Sequence, residues 1–179
     1  MFKNVLEWEQ FKKKNFLTKL LHNNKYKIIN SILKKNNLDQ LSILDCGCGF
    51  ADSFDLLNKN FNVNYTGIEK NYEIYNITKE RYKTYSNFRI LNADITKIKD
   101  YREYNSDIII MFDILEHVNL PDRVNLLEKI QVLDFKKLFI NVPNEVGLAI
   151  LIKNFGSKIM KYNRDWEYSY KDTFNSIIR

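Results

Sequence analysis

Apolar positions along this chain fall into two kinds of period. Over residues 17–35, Leu17, Leu20, Leu21, Ile28, Ile29, Ile32 and Leu33 stand near helical spacing with lysines between them. That predicts an amphipathic helix, or two, packed before the main fold. An alternation follows. Residues 42–46 read as a buried strand ending in a glycine turn, and 52–60 as a helix with Phe54, Leu56 and Leu57 apolar. Residues 63–68 read as a second strand, 73–85 as a second helix, and 88–91 as a third strand. Residues 107–112 form a fourth strand, an unbroken apolar run after Asp107, as in a strand buried on both faces. A helix over 121–133 carries proline in its first turn, and a fifth strand over 137–142 is stopped by Pro143. Strands separated by helical stretches of this length predict an α/β fold, a mostly parallel sheet with helices on both faces.

Length and composition narrow the class. The 179 residues suit one domain, with no internal repeat or linker to divide it: a helical segment over 1–40, then the sheet-bearing part over 41–179. At 45% hydrophobic and 28% charged residues, the chain has an ordinary globular composition. Apolar runs such as 108–112 and 148–152 fall far short of the roughly 18 residues a membrane span needs. The start is broken by charge and has no secretory pattern, so a cytoplasmic location is expected. Cys46 and Cys48, one residue apart and without further cysteines, suit a reducing compartment and neither a disulfide framework nor a zinc site. The net charge of +6 is concentrated near the N-terminus, in Lys12, Lys13, Lys14, Lys19, Lys25, Lys27, Lys34 and Lys35. Lysines without arginine clusters or interleaved aromatics read as a solvated face, so nucleic acid is not expected to be the main partner.

In sheets of this kind ligands bind beyond the carboxyl ends of the strands, where strand order reverses. The first strand ends in Asp45-Cys46-Gly47-Cys48-Gly49, where two glycines let the backbone turn sharply and a ligand come close. The second ends in Gly67-Ile68-Glu69, a carboxylate suited to accept from both hydroxyls of a ribose. The third ends in Ala93-Asp94-Ile95, where the carboxylate suits an adenine amino group or, alternatively, a helix N-cap. The fourth ends in Asp113-Ile114-Leu115-Glu116-His117-Val118. A dinucleotide fingerprint would place a third glycine where this chain has Asp52, and a carboxylate there repels a pyrophosphate. A ligand with ribose and adenine but no phosphate fits better.

These motifs resemble those of the class I S-adenosylmethionine-dependent methyltransferases, over roughly residues 41–144. Asp45-Cys46-Gly47-Cys48-Gly49 is similar to the family's first motif, with Ala51 at its usual third small position. Glu69 matches the ribose-binding acid and Ala93-Asp94-Ile95 the adenine-contacting turn. The run from Asp113 to Val118, with Asn141-Val142-Pro143-Asn144, resembles the subgroup acting on quinone precursors, sugars and other small molecules. A weaker echo lies at Trp166-Glu167-Tyr168-Ser169. The resemblance implies a Rossmann-like sheet of order 3-2-1-4-5 with S-adenosyl-L-methionine as cofactor. It further implies methyl transfer to an oxygen or nitrogen of a small molecule or glycan. RNA is the alternative acceptor, and a methyltransferase-like binding module without turnover the alternative class. The family's sixth and seventh strands have no counterpart here, because residues 146–160 and 166–178 read as helical. That leaves either a truncated chain or an edge rebuilt by other means, with the fifth strand open to pairing.

Several roles stay open at this level. Asp45 suits either the methionine ammonium or the tethering of the glycine loop. Phe112 or Phe50 suits either a place beside the adenine or the core. His117 is a candidate base for a hydroxyl or amine acceptor, or a structural histidine, with Asp113 and Glu116 as candidate acceptor-orienting groups. Asp113, Glu116 and His117 are also similar to the metal cluster of small-RNA 3′-end methyltransferases. That cluster uses a second, later histidine, which this sequence lacks, so no metal is expected.

Overall fold

The structure, a computed structural model, describes residues 16–36 and 40–142. Its helices are α1 (Phe16–Lys35), α2 (Asp52–Leu57), α3 (Tyr72–Arg81) and α4 (Leu120–Gln131). Its strands are β1 (Gln40–Cys46), β2 (Asn62–Glu69), β3 (Phe88–Asn92), β4 (Ile108–Phe112) and β5 (Lys137–Asn141). All strand pairs are parallel, in the order β3-β2-β1-β4-β5. The chain therefore winds outward from β1 in both directions, and strand order reverses between β1 and β4. The α/β class and the strand order agree with expectation.

Strand alternation sorts the core into two layers. Leu41 and Ile43 of β1, Val63 and Tyr65 of β2, and Ile108 and Ile110 of β4 face α1 and α2, where they meet Ile29, Leu33, Phe54 and Leu57. Leu44, Cys46, Ile68, Ile109 and Met111 face the opposite side and meet Leu126 and Ile130 of α4. Burying each such side chain contributes about 1.5–3 kcal/mol. Residues 108–111 are fully buried, which explains why β4 has no polar alternation.

Element ends differ from the periodic reading for local reasons. The lysine-rich segment forms one continuous helix, with Lys34 and Lys35 beside its negative dipole end. Helix α3, expected over 73–85, stops at Arg81, because Tyr82 turns into the core against Phe54 and Phe88. The first helix after β1 closes at Leu57, whose carbonyl accepts from the amides of both Asn60 and Phe61 at 3.0 Å. Between β3 and β4 the crossover is made by two 3-10 turns, Ile95–Lys97 and Arg102–Tyr104, and a third, Leu115–His117, precedes α4. At the amino end of the sheet Asp107 ties three strands together. It accepts from the Ser42 amide (2.9 Å), the Ser42 hydroxyl (2.7 Å) and Lys136 (2.8 Å). The expected helical stretches 146–160 and 166–178, the motifs at 143–144 and 166–169, and Lys12, Lys13 and Lys14 lie outside the described residues. Among the described residues no helix is long and apolar enough to cross a membrane.

Candidate functional site

Past the carboxyl ends of β1 to β4 lies a cleft of about 670 Å³, a volume typical of small-molecule sites. Gly47 forms its floor. Glu69 and Asn71 line it from the end of β2, Ala93 to Lys97 from the end of β3, and Ile114, His117 and Val118 from the segment after β4. Asn119 and Asp122, at the start of α4, complete the wall.

The floor is shaped by left-handed backbone. Gly47 (φ 77°), Gly49 (φ 55°) and Ala51 (φ 57°) all lie in the region that favours glycine. The amides of Gly47 and Cys48 both donate to the Ile68 carbonyl, at 2.9 and 3.0 Å, which folds the turn back onto β2. A Cβ on Gly47 would stand 2.7 Å from Ile114 Cδ1, whereas one on Gly49 would meet nothing within 4 Å. Gly67 is required for a different reason: a Cβ there would stand 2.6 Å from Cys48 Sγ.

Glu69 fastens two neighbouring segments. Its Oε2 accepts from the Gly49 amide at 3.0 Å and its Oε1 from the Asn71 amide at 2.6 Å. A carboxylate has about four acceptor directions, so two remain beyond these amides. Asp94 caps the turn at Ile95–Lys97, accepting from the Thr96 amide (3.0 Å) and hydroxyl (2.8 Å), while its other oxygen lies 3.5 Å from Lys70 Nζ. Partial burial raises the Asp94 carboxyl, but the Thr96 donors and Lys70 outweigh this and hold it below the ordinary carboxylate range. The N-cap role is therefore realised, on a residue that also lines the cleft.

Other candidates sit elsewhere. Asp45 is buried on the α1–α2 face, where its Oδ2 accepts from the Ser53 hydroxyl and, at 2.6 Å, from Tyr65. Burial lifts its carboxyl above the ordinary range, and these hydroxyls and the charge of Lys25 oppose that only in part. This geometry favours the tethering role. Phe112 packs edge-on against Tyr26 at 5.6 Å between centroids, and Phe50 is buried with Arg81 over its ring. Neither lines the cleft, so a place beside an adenine gives way to core packing for both; odd positions of β4 face α4 and even positions face α1. Asp113, at φ 52°, has both oxygens engaged, by Lys25 (2.5 Å) and Asn141 (2.8 Å). Glu116 is half-buried, with one oxygen covered and without a hydrogen-bond partner. Of the group after β4, it is the exposed His117 that reaches the cleft wall. Among the described residues no group of three or more His, Cys, Asp or Glu is arranged to hold a metal ion.

Several contributors were not singled out by sequence reasoning. Asn71 caps α3 through the amides of Glu73 and Ile74, and an asparagine just before a helical pattern is a recognisable signal. Tyr65 could have been found as the same-face diagonal neighbour of Asp45, since Asp45 pairs with Gly67 and a buried tyrosine hydroxyl needs a partner. For Lys25, 88 positions from Asp113, the sequence offers no local sign.

A family profile described as a methyltransferase domain matches residues 43–133. An uncharacterized protein of Methanocaldococcus jannaschii is 31% identical over 135 residues, which is 75% of this chain and 53% of that protein. The chain thus spans about half the length of the curated relative it matches. Among solved structures, the fold is similar to magnesium protoporphyrin IX methyltransferase from Synechocystis PCC 6803 with bound SAH. The TM-score is 0.65 at 18% identity, covering 94% of this chain and 81% of that one. It is also similar to the methyltransferase domain of bacterial CtHen1-CN, with TM-score 0.60, 19% identity, and coverage of 87% and 81%.

Proposed function

The chain belongs to the methyltransferase-domain family, and on that premise we propose that it binds S-adenosylmethionine and transfers its methyl group to an oxygen or nitrogen of a small molecule or glycan. The observation that carries the reading is one cleft joining the glycine turn, a carboxylate with spare acceptor directions at Glu69, the Asp94-Ile95 turn, and His117. The similar Synechocystis enzyme, described with bound SAH, supports the same ligand. The Glu69 carboxylate on the cleft wall can accept from ribose hydroxyls and would repel a pyrophosphate.

In this reading Glu69 accepts from the ribose hydroxyls, Gly47 and Gly49 let backbone approach the ligand, and the Asp94-Ile95 turn flanks the adenine. Asp45 secures the loop from behind through Ser53 and Tyr65. The cofactor supplies a methyl group on a sulfonium, whose thioether leaves without needing a proton. What the chain must add is alignment of the acceptor, exclusion of water, and a place for the acceptor's proton. His117 takes that proton, since it lines the cleft and its imidazole nitrogen can accept one.

The test is calorimetric titration of S-adenosylhomocysteine and S-adenosylmethionine into the chain and into Glu69→Ala. Loss of a charge-assisted acceptor is expected to weaken binding by about 1.5–3 kcal/mol, roughly tenfold to a hundredfold. Unchanged affinity in the variant removes Glu69 from the site, and no binding by the parent chain removes the reading.

A further inference from the structure

Lys25 reaches the functional end of the sheet from α1, outside the segment that matches the family. Its Nζ lies 2.5 Å from Asp113 Oδ2, and the two side chains are unequally covered, Lys25 at 13% exposed and Asp113 at 41%. The ammonium also stands 5.0 Å from the Phe112 ring centroid and 5.4 Å from that of Tyr26. A lysine covered this far needs a counter-charge, which the carboxylate supplies, with the ring faces adding a weaker attraction.

The carboxylate is held from a second side. Asn141 Nδ2 donates to Asp113 Oδ1 at 2.8 Å, and the Asp113 amide donates to the Asn141 carbonyl at 3.0 Å. Between these clamps the Asp113 backbone adopts φ 52°, which non-glycine residues seldom occupy without support. The direction of this turn decides where the next residues go. Ile114 comes to rest against Gly47, close enough that a Cβ there would stand 2.7 Å from its Cδ1. His117, whose amide donates to the Ile114 carbonyl at 3.0 Å, lines the cleft beside it.

We infer that Lys25 is a positioning residue for the cleft: by pairing with Asp113 it holds the turn that seats Ile114 on Gly47 and places His117 on the cleft wall. Helix α1 thereby sets cofactor affinity without touching the cofactor. Asp113 acts within the framework of the site and does not orient an acceptor. The inference rests on the S-adenosylmethionine reading, and its test separates the two.

S-adenosylhomocysteine is titrated calorimetrically into the full chain and into Lys25→Met, Lys25→Arg, Asp113→Asn and the Lys25→Met/Asp113→Asn double variant, each well below its unfolding midpoint. Lys25→Met keeps the apolar stem and removes the charge. Asp113→Asn keeps a side chain that tolerates the left-handed turn. Each is expected to weaken binding about tenfold, and the double variant no further than the weaker single, because either change breaks the same pair. Lys25→Arg is expected to regain most of the affinity. Parental affinity in Lys25→Met with a lowered melting temperature overturns the inference, as do effects that multiply in the double variant. If Lys25→Met does not fold, parental affinity in Asp113→Asn overturns it equally. Failure of the parent chain to bind the ligand overturns the cofactor reading, and this inference with it.

Discussion

Gly47 is the point where the floor of the cleft meets its wall, and Gly47→Ala separates two constraints that act there together. The first is conformational: at φ 77° a Cβ costs about 1–2 kcal/mol in the left-handed region. The second is steric. The added carbon would lie 2.7 Å from Ile114 Cδ1 and 2.9 Å from its Cγ1, so the isoleucine must leave its rotamer or the loop must move. Overpacking of this kind costs about 1–3 kcal/mol. Against both stands the reduced freedom of alanine in the unfolded chain, worth roughly 0.5 kcal/mol. The net expectation is a loss of about 2–4 kcal/mol in urea unfolding, read as a lower midpoint at unchanged slope. In an Ile114→Ala background the steric part disappears, and the same substitution should cost only about 0.5–1.5 kcal/mol. The effects of the two changes are thus less than additive by about 1–3 kcal/mol, the size of the steric part. Equal cost in both backgrounds would refute the contact as the constraint. A Gly47→Ala variant as stable as the parent would refute the left-handed turn itself.

Two further expectations concern acid stability and chemistry. Lys136 and the Ser42 donors hold the Asp107 carboxyl near a pKa of about 2, below its ordinary 3.8. A depressed pKa means stability that is present above the unfolded value and lost as pH falls through the folded one. Asp107→Asn should therefore cost about 1 kcal/mol at neutral pH, allowing for screening of the exposed Lys136. The gap from the parent should close between about pH 4 and pH 2 in chemical denaturation, and a gap constant over that window would exclude linkage through Asp107. His117→Ala should lower turnover by about 10²- to 10⁴-fold on whichever acceptor reacts, with S-adenosylhomocysteine affinity close to parental. Unchanged turnover with a lower melting temperature would make His117 structural.

What the sequence by itself determined is everything carried by local period and local chemistry. Apolar runs at 42–46, 63–68 and 107–112, alternating with helical spacing, predict a parallel α/β sheet, because a strand covered on both faces must be apolar along its length. Gly47 and Gly49 mark the turn after β1, since few other residues occupy φ values of 77° and 55° at low cost. Once a parallel sheet is granted, its topology brings the strand-end residues Glu69 and Asp94 to one cleft. Ala51 shows a limit even here: it takes the same left-handed conformation with no glycine to announce it, held by its burial in the core.

The tertiary structure alone decided which face of a strand meets which layer. Strand β4 is apolar on both sides, so nothing in its pattern distinguishes Phe112, which faces α1, from Met111, which faces α4. Partnerships across the chain are equally unreadable. The same carboxylate type is a buried tether at Asp45, a turn cap at Asp94 and an ion-pair clamp at Asp113. In each case a role follows from the donors that packing delivers: Tyr65 from the neighbouring strand, Thr96 from the next turn, Lys25 from a helix 88 positions away. Sequence periodicity records how much of a residue is buried; the identity of its partner depends on how the layers close over the sheet.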